Sequence, residues 1–366
     1  SRLRAAGAII LGSTNLSEWA NIRSSKSTSG WSAVGGLTAN PWIHAHSAGG
    51  SSSGSGAAIA AGLAPLAIGT ETDGSIICPA SLNGCVGIKP TVGAVPTSGV
   101  VPISASQDSP GPMARTVKDA ALLLEVLTEK SGIVEACHDT STIRVGVVRQ
   151  WFTQDDETNA HFENLLPTLS KHGIELVDVS VGDLDEQAGA DEGTVLFHEL
   201  VEDLDAYLSR RPGLGVKSLA DVIAFNIENA DTELQHFHQD YLELSATTGG
   251  RNEKYQEARQ RNLDWAVTRV LAPALDKVDI LISTAYPPAW VSTLGEGDDY
   301  SKSGWITMAP AVAGWPIGTV PMGLVRGLPV GLGVVTWKSE EANLVRAMAR
   351  IEKALGLGIL QPTFIR

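Results

Sequence analysis

The sequence is poor in the features that mark zinc-binding, disulfide-rich and nucleic-acid-binding proteins. It has three cysteines and no C-x-x-C pair, which favours small buried hydrophobic residues over a metal or redox motif. Lys and Arg number 27 against 41 Asp and Glu, so the formal net charge is -14 and a phosphate backbone would find no electrostatic attraction. We therefore expect no metal, no cofactor and no nucleic-acid partner.

Long apolar runs are absent as well. A helix that spans a bilayer needs roughly twenty mainly apolar residues, and no stretch of this sequence approaches that length. We expect no transmembrane segment and a cytoplasmic protein. The oligomeric state does not follow from the sequence.

The sequence does contain enough hydrophobic residues for a large core, since they make up 43% of its 366 residues. Length alone leaves the number of domains open. Strand-like and helical stretches alternate, with strands near both ends, which predicts an α/β fold whose sheet is completed by distant segments. Residues 181–271 are helical in pattern and acidic. Residues 1–7 resemble the last turn of a helix and 8–11 a short buried strand, so we expect the native chain to extend upstream of Ser1.

Two dense Gly and Ser motifs carry the chemistry. Residues 49–56 place four serines among glycines, and residues 69–79 form a second motif that contains Ser75. A flexible linker would not lead straight into a buried core. Taken alone, residues 50–54 also fit the G-x-S-x-G nucleophile elbow, with Ser52 as nucleophile, but no strongly apolar strand precedes them.

Taken together, the two motifs resemble the amidase signature family. Ser51 and Ser75 are 24 residues apart, and further segments carry the same resemblance: 10–18, 87–93, 107–115, 313–316 and 327–331. Residues 17–21, 69–79 and 218–226 are most similar to the bacterial peptide amidases. The resemblance implies one amidase signature domain over residues 1–366, with a mixed β-sheet covered by helices on both faces and a variable helical region at about 181–271.

The resemblance also implies a mechanism. Ser75 attacks the amide carbonyl, and Ser51, expected to follow a cis peptide bond after Gly50, carries the proton to and from a neutral lysine. The backbone N–H groups of Thr72, Asp73, Gly74 and Ser75 would form the oxyanion hole, with Gly50 and Ser52 as supporting residues. Asn21 would lie near the acyl part of a small-molecule or peptide amide substrate.

The lysine of this triad has no match in the sequence. Lys26 lies in a loop without a family equivalent, Lys89 is interpreted as structural, and His44 and His46 as surface residues. Ile77 stands where the general family has arginine. Three hypotheses remain: a fragment of a peptide C-terminal amide hydrolase, a glutamine-hydrolysing component of an amidotransferase, and a catalytically silent amide-binding relative.

Overall fold

An eight-stranded mixed β-sheet lies at the centre of the molecule. The computed structural model describes residues 1–182, 186–211 and 213–363. The strands are β1 Trp31–Ser32, β2 Gly36–Leu37, β3 Leu66–Glu71, β4 Val86–Lys89, β5 Ser109–Ala114, β6 Ile143–Val147, β7 Ile174–Asp178, β8 Ile280–Thr284, β9 Ile317–Val325 and β10 Leu328–Val335. The main sheet has the order β3-β5-β4-β9-β10-β8-β6-β7, and β1 and β2 form a separate two-stranded sheet.

Strands from both halves of the chain are neighbours in this sheet. The strand β4 pairs with β9 antiparallel, with Gly87 opposite Thr319, while β6 pairs in parallel with both β7 and β8. The sheet is therefore completed by distant segments, as the sequence predicts.

The helices surround the sheet and fill the middle of the chain. They are α1 Arg2–Ala5, α2 Ser53–Ala60, α3 Ile77–Asn83, α4 Val117–Thr128, α5 Ile133–Ala136, α6 Asp156–Lys171, α7 Glu186–Ser209, α8 Leu219–Glu228, α9 Ala230–Glu233, α10 Asp240–Thr247, α11 Glu253–Leu263, α12 Ala272–Leu275, α13 Met308–Ala313 and α14 Glu341–Leu355. A π-helical segment, Asp264–Leu271, joins α11 to α12. Side-chain caps begin several helices: Thr116 accepts from Asp119 N, and Asp155 from Thr158 N.

Both faces of the sheet are covered by helices. Because successive strand residues point to opposite faces, Ile280 and Ile282 of β8 pack into the cluster that contains α4, α6 and α14, while Leu281 packs into the cluster of the π-helical segment and α13. The α/β fold with a mixed sheet between two helical layers is thereby confirmed.

The helical middle portion is also present. Within residues 181–271, helices α7 to α11 and the π-helical segment occupy most of the described positions, while residues 183–185 and 212 lie outside the described residues. Leu200, Leu204 and Leu242 form a small core of their own there. No helix in the described ranges is long and apolar enough to cross a membrane.

The beginning of the chain differs from the expectation in one respect. The helix α1 is present, and Gly7 follows it with a left-handed φ of 86°. Residues 8–11, however, form no strand, so the prediction of a buried strand there is wrong. Ile9 is 85% exposed and Leu11 75% exposed, because this apolar run pairs with no strand and no other described segment covers it.

Candidate active site

A cavity of about 630 Å³ lies where several loops meet beside the sheet. Its wall includes most of the residues that the sequence singles out: Asn21, Gly50, Ser51, Thr72, Asp73 and Ser75. Tyr286, Tyr300, Ser303, Thr307 and Met308 contribute from the far end of the chain. A larger open groove of about 1230 Å³ adjoins it at Ala20 and Ile103.

Ser51 stands at the bend before α2. The Gly50–Ser51 peptide bond is cis, as the resemblance implies. The carbonyl of Ser51 accepts from the backbone N–H of Ser17 at 3.0 Å and of Ser53 at 2.9 Å, so the residue is fixed from both sides. A Cβ on Gly50 would clash with the hydroxyl groups of Ser29 and Ser17, which explains why only glycine fits before Ser51.

Ser52 joins this bend to the turn that carries Ser75. Its N–H donates to the Ser75 carbonyl at 3.1 Å, and its hydroxyl lies 3.0 Å from both the N–H and the carbonyl oxygen of Thr70. Ser51 and Ser75 are thereby brought to one cavity. Ser52 is buried and does not line that cavity, which fits a supporting role and argues against Ser52 as a nucleophile.

The turn at the end of β3 has an unusual backbone. Gly74 has a φ of 76°, and a Cβ there would clash with Tyr286 Oη. Directly after Ser75, the N–H groups of Ile76 and Ile77 donate to Glu71 Oε2 at 2.7 and 2.9 Å. This buried carboxyl group holds the turn that carries Ser75, and its contacts were not predicted although Glu71 lies inside the second motif.

The electrostatics beneath the turn are set by burial. Burial raises the pKa of both Glu71 and Asp73, while it lowers the pKa of Lys89 to about 8 although both carboxyl groups oppose that shift. Lys89 Nζ donates to the Trp315 carbonyl at 2.7 Å. None of the lysines in the described ranges lines the cavity, and Lys89 is fully buried away from its wall.

A second polar network supports the turn from the side of the helical middle portion. Thr72 Oγ1 donates to Asp108 at 2.6 Å, and Gln107 Nε2 donates to Glu192 at 2.8 Å and to the Thr72 carbonyl at 3.4 Å. Burial raises the pKa of Asp108 to about 6; burial and then Asp73 raise the pKa of Glu192 to about 8. Gln107 and Asp108 fall within a motif of the sequence analysis, whereas nothing in the sequence indicates Glu192.

Asn21 is held in one orientation at the cavity wall. Its Nδ2 donates to Asp298 Oδ2 at 3.1 Å, and its buried Oδ1 has no partner in the described part of the chain. The residue follows Trp19 and Ala20, and all three have positive φ values of 50 to 74°. Asp298, which also accepts from Ser29 Oγ at 2.7 Å, is 277 residues away from Asn21, so no local sequence signal identifies it.

The remaining candidates lie elsewhere. His44 is exposed and His46 lines a different cavity, and Lys26 Nζ lies 3.4 Å from the Glu296 carbonyl. Among residues 1–182, 186–211 and 213–363, no three His, Cys, Asp or Glu side chains are grouped to hold a metal ion. The chemistry available at the cavity is that of Ser51 and Ser75 beside the Asp73 carboxyl group and the tight turn at Gly74.

Comparisons with known proteins show similarity over nearly the whole chain. The family model described as Amidase matches residues 1–345. The structure of native peptide amidase from Stenotrophomonas maltophilia superposes with a TM-score of 0.92 at 37% identity, over 100% of this chain and 77% of that one. A probable amidase of Arabidopsis thaliana is 33% identical over 96% of this chain and 69% of its own length. A component of the glutamyl-tRNA(Gln) amidotransferase of Salinispora tropica is 34% identical over 97% of this chain and 76% of its own length.

Proposed function

The chain belongs to the amidase signature family, and from that premise we propose that it is a serine amidohydrolase that cleaves peptide C-terminal amides to the acid and ammonia. The observation that carries this proposal is the meeting of Ser51 and Ser75 at one cavity wall, tied together by the hydrogen bond from Ser52 N to the Ser75 carbonyl. An isolated serine hydroxyl is a weak nucleophile, so a second group must accept its proton as it attacks. We assign this role to Ser51, which lines the same cavity as Ser75.

In the proposed reaction, Ser75 Oγ forms a bond to the carboxamide carbon and its proton passes through Ser51 to the leaving nitrogen. The C–N bond then breaks, ammonia leaves and the acyl group stays on Ser75. Water attacks the ester, and its proton returns along the same path to release the carboxylic acid and restore Ser75. No histidine takes part.

The negative charge that develops on the carbonyl oxygen needs donors that are already in place. In the described part of the chain, the N–H groups of Asp73, Gly74 and Ser75 donate to no protein acceptor. The same turn holds the nucleophile, which supports an oxyanion hole formed by Thr72, Asp73, Gly74 and Ser75. Removal of one such donor typically costs about 3 kcal/mol of transition-state stabilisation.

The third member of the triad, a neutral lysine, is proposed from the family resemblance alone. Such a base must be desolvated to lose its proton near neutral pH. Lys89 is desolvated, but it donates to the Trp315 carbonyl and does not reach the cavity wall. We therefore assign the base to a lysine outside these 366 residues, and the silent amide-binding relative is the alternative if none is supplied.

Labelling with a fluorophosphonate tests the nucleophile. When the lysine is supplied, the folded chain should be labelled at Ser75, the Ser75→Ala variant should not, and Ser51→Ala should be labelled several orders of magnitude more slowly. Ser209→Ala, a change on the exposed face of α7, serves as the control. A folded parent chain that stays unlabelled although the lysine is supplied would favour the amide-binding relative.

Ammonia release ranks the possible substrates. The high structural similarity to a peptide amidase supports a peptide C-terminal amide, whereas the amidotransferase relatives make glutamine the second candidate. A peptide amide, an aryl amide and glutamine should be compared at equal concentration. Turnover of glutamine alone would reverse the assignment.

A further inference from the structure

Three buried polar atoms on residues that line the active-site cavity have no hydrogen-bond partner in the described part of the protein. They are Asn21 Oδ1, Asp73 Oδ1 and Ser303 Oγ. Buried polar groups are nearly always paired, so an unpaired group at a cavity points to a ligand or water. The first two atoms are oxygens that accept, so the complementary ligand carries N–H groups.

We propose that Asp73, through Oδ1, accepts an N–H of the scissile carboxamide and thereby selects unsubstituted amides over esters. The inference rests on the proposed amidase function and goes beyond it by naming a specificity-determining side chain. Asp73 lies two residues before Ser75 on the same turn. A carboxamide attacked by Ser75 would have its nitrogen in the cavity that both residues line.

The surroundings of Asp73 fit an acceptor rather than an ion pair. Burial raises the pKa of its carboxyl group, and the hydrogen bond from Thr307 and the charge of Lys89 offset this only in part. The charge of Asp73 in turn helps to raise the pKa of two neighbouring carboxyl groups, those of Glu71 and Glu192. A carboxyl group keeps an accepting oxygen whether or not it is protonated, so Asp73 can receive the N–H in either form.

Asn21 offers a separate acceptor. Its amide is turned by the hydrogen bond from Nδ2 to Asp298, so Oδ1 is left for a donor in the cavity. Since Asn21 belongs to a different loop, we assign Oδ1 to a main-chain N–H of the peptide. A peptide methyl ester keeps that main-chain N–H but has none at the scissile position. The two acceptors are therefore separable by the choice of ligand.

The experiment measures binding without turnover. In the Ser75→Ala background, calorimetry gives the Kd of a dipeptide amide and of the matching methyl ester. We expect the amide to bind about tenfold or more tightly than the ester. Adding Asp73→Ala should weaken binding of the amide until its Kd equals that of the ester. The Kd of the ester itself should stay within about twofold of its value in the Ser75→Ala variant.

Two further variants isolate the contact. Adding Asn21→Ala should weaken amide and ester alike, so the ratio persists. Glu192→Gln removes a half-buried carboxyl group near Asp73 that does not line the cavity, and it should also keep the ratio. A changed ratio in Glu192→Gln would show a general charge effect and overturn the assignment.

Asp73→Ser provides a second test if the alanine variant does not fold, because the shorter hydroxyl does not reach the position of Oδ1. An unchanged preference for the amide in a folded Asp73 variant contradicts the inference and leaves the amidase function intact. If neither ligand binds to folded protein and the parent chain releases no ammonia, the inference and the proposed function fail together.

Discussion

Replacing Glu71 should loosen the turn that carries Ser75. Its Oε2 accepts from the backbone N–H groups of Ile76 and Ile77, directly after Ser75, at 2.7 and 2.9 Å. The side chain is 1% exposed, so water cannot replace it without entering the core. In Glu71→Ala both N–H groups lose their partner, whereas Glu71→Gln keeps an accepting oxygen but not its charge.

The expected magnitude follows from these contacts. Each buried N–H left unpaired costs about 1–3 kcal/mol, so Glu71→Ala should lose roughly 2–6 kcal/mol in the free energy of unfolding. A neutral hydrogen bond has about half the strength of a charge-assisted one, so Glu71→Gln should lose less. A shift of about 1 Å in a reacting group can cost about 100-fold in rate, so labelling of Ser75 should slow in both.

The assay combines urea unfolding with fluorophosphonate labelling. Glu352 is the matched control, since it accepts from the N–H of Val117 at 2.8 Å, away from the cavity. Glu352→Ala should lower the free energy of unfolding without slowing the labelling of Ser75. If Glu71→Ala unfolds and labels like the parent chain, the carboxyl group does not hold the turn and this reasoning is refuted.

Three other changes probe separate features. Gly74→Ala should lower the free energy of unfolding by at least about 1–2 kcal/mol because of the left-handed φ, and further through the clash with Tyr286 Oη. Adding Tyr286→Phe should relieve the clash, so equal thermal unfolding of the single and double variants would exclude it. Asp298→Ala removes the hydrogen bond that orients the Asn21 amide, so KM for a peptide amide should rise about tenfold with a smaller change in kcat. An unchanged KM would show that Asp298 does not position Asn21 for the substrate. The pKa of Lys89 is about 8 in the folded state against the ordinary lysine value of 10.5. Between these two pH values the unfolded state binds more protons than the folded state, so the free energy of unfolding should rise by about 3 kcal/mol as the pH increases. Lys89→Met should abolish that rise in urea titrations, and an identical pH dependence in parent and variant would contradict the shift.

Much of the scaffold was predictable because its elements carry local patterns. The apolar pattern predicts helices at 117–127 and 340–355 and strands at 143–148, 279–283 and 330–335. The structure has α4 and α14 and β6, β8 and β10 at these positions. The segment at residues 8–11 is the exception: its apolar run has the pattern of a strand, but a strand also needs a neighbour, and no described segment pairs with it. Periodicity reports which side chains suit burial and not whether a partner is present.

The roles of Ser51, Ser75 and the oxyanion residues remain predictions, although the structure brings these residues to one cavity. The sequence by itself determined the two bends, at Ser51 and before Ser75, because the local backbone conformation there requires glycine at positions 50 and 74. Only the tertiary structure decided that Glu192 and Asp298 support the wall around Ser75. Their contacts depend on packing between segments far apart in the chain, and no local pattern encodes such contacts.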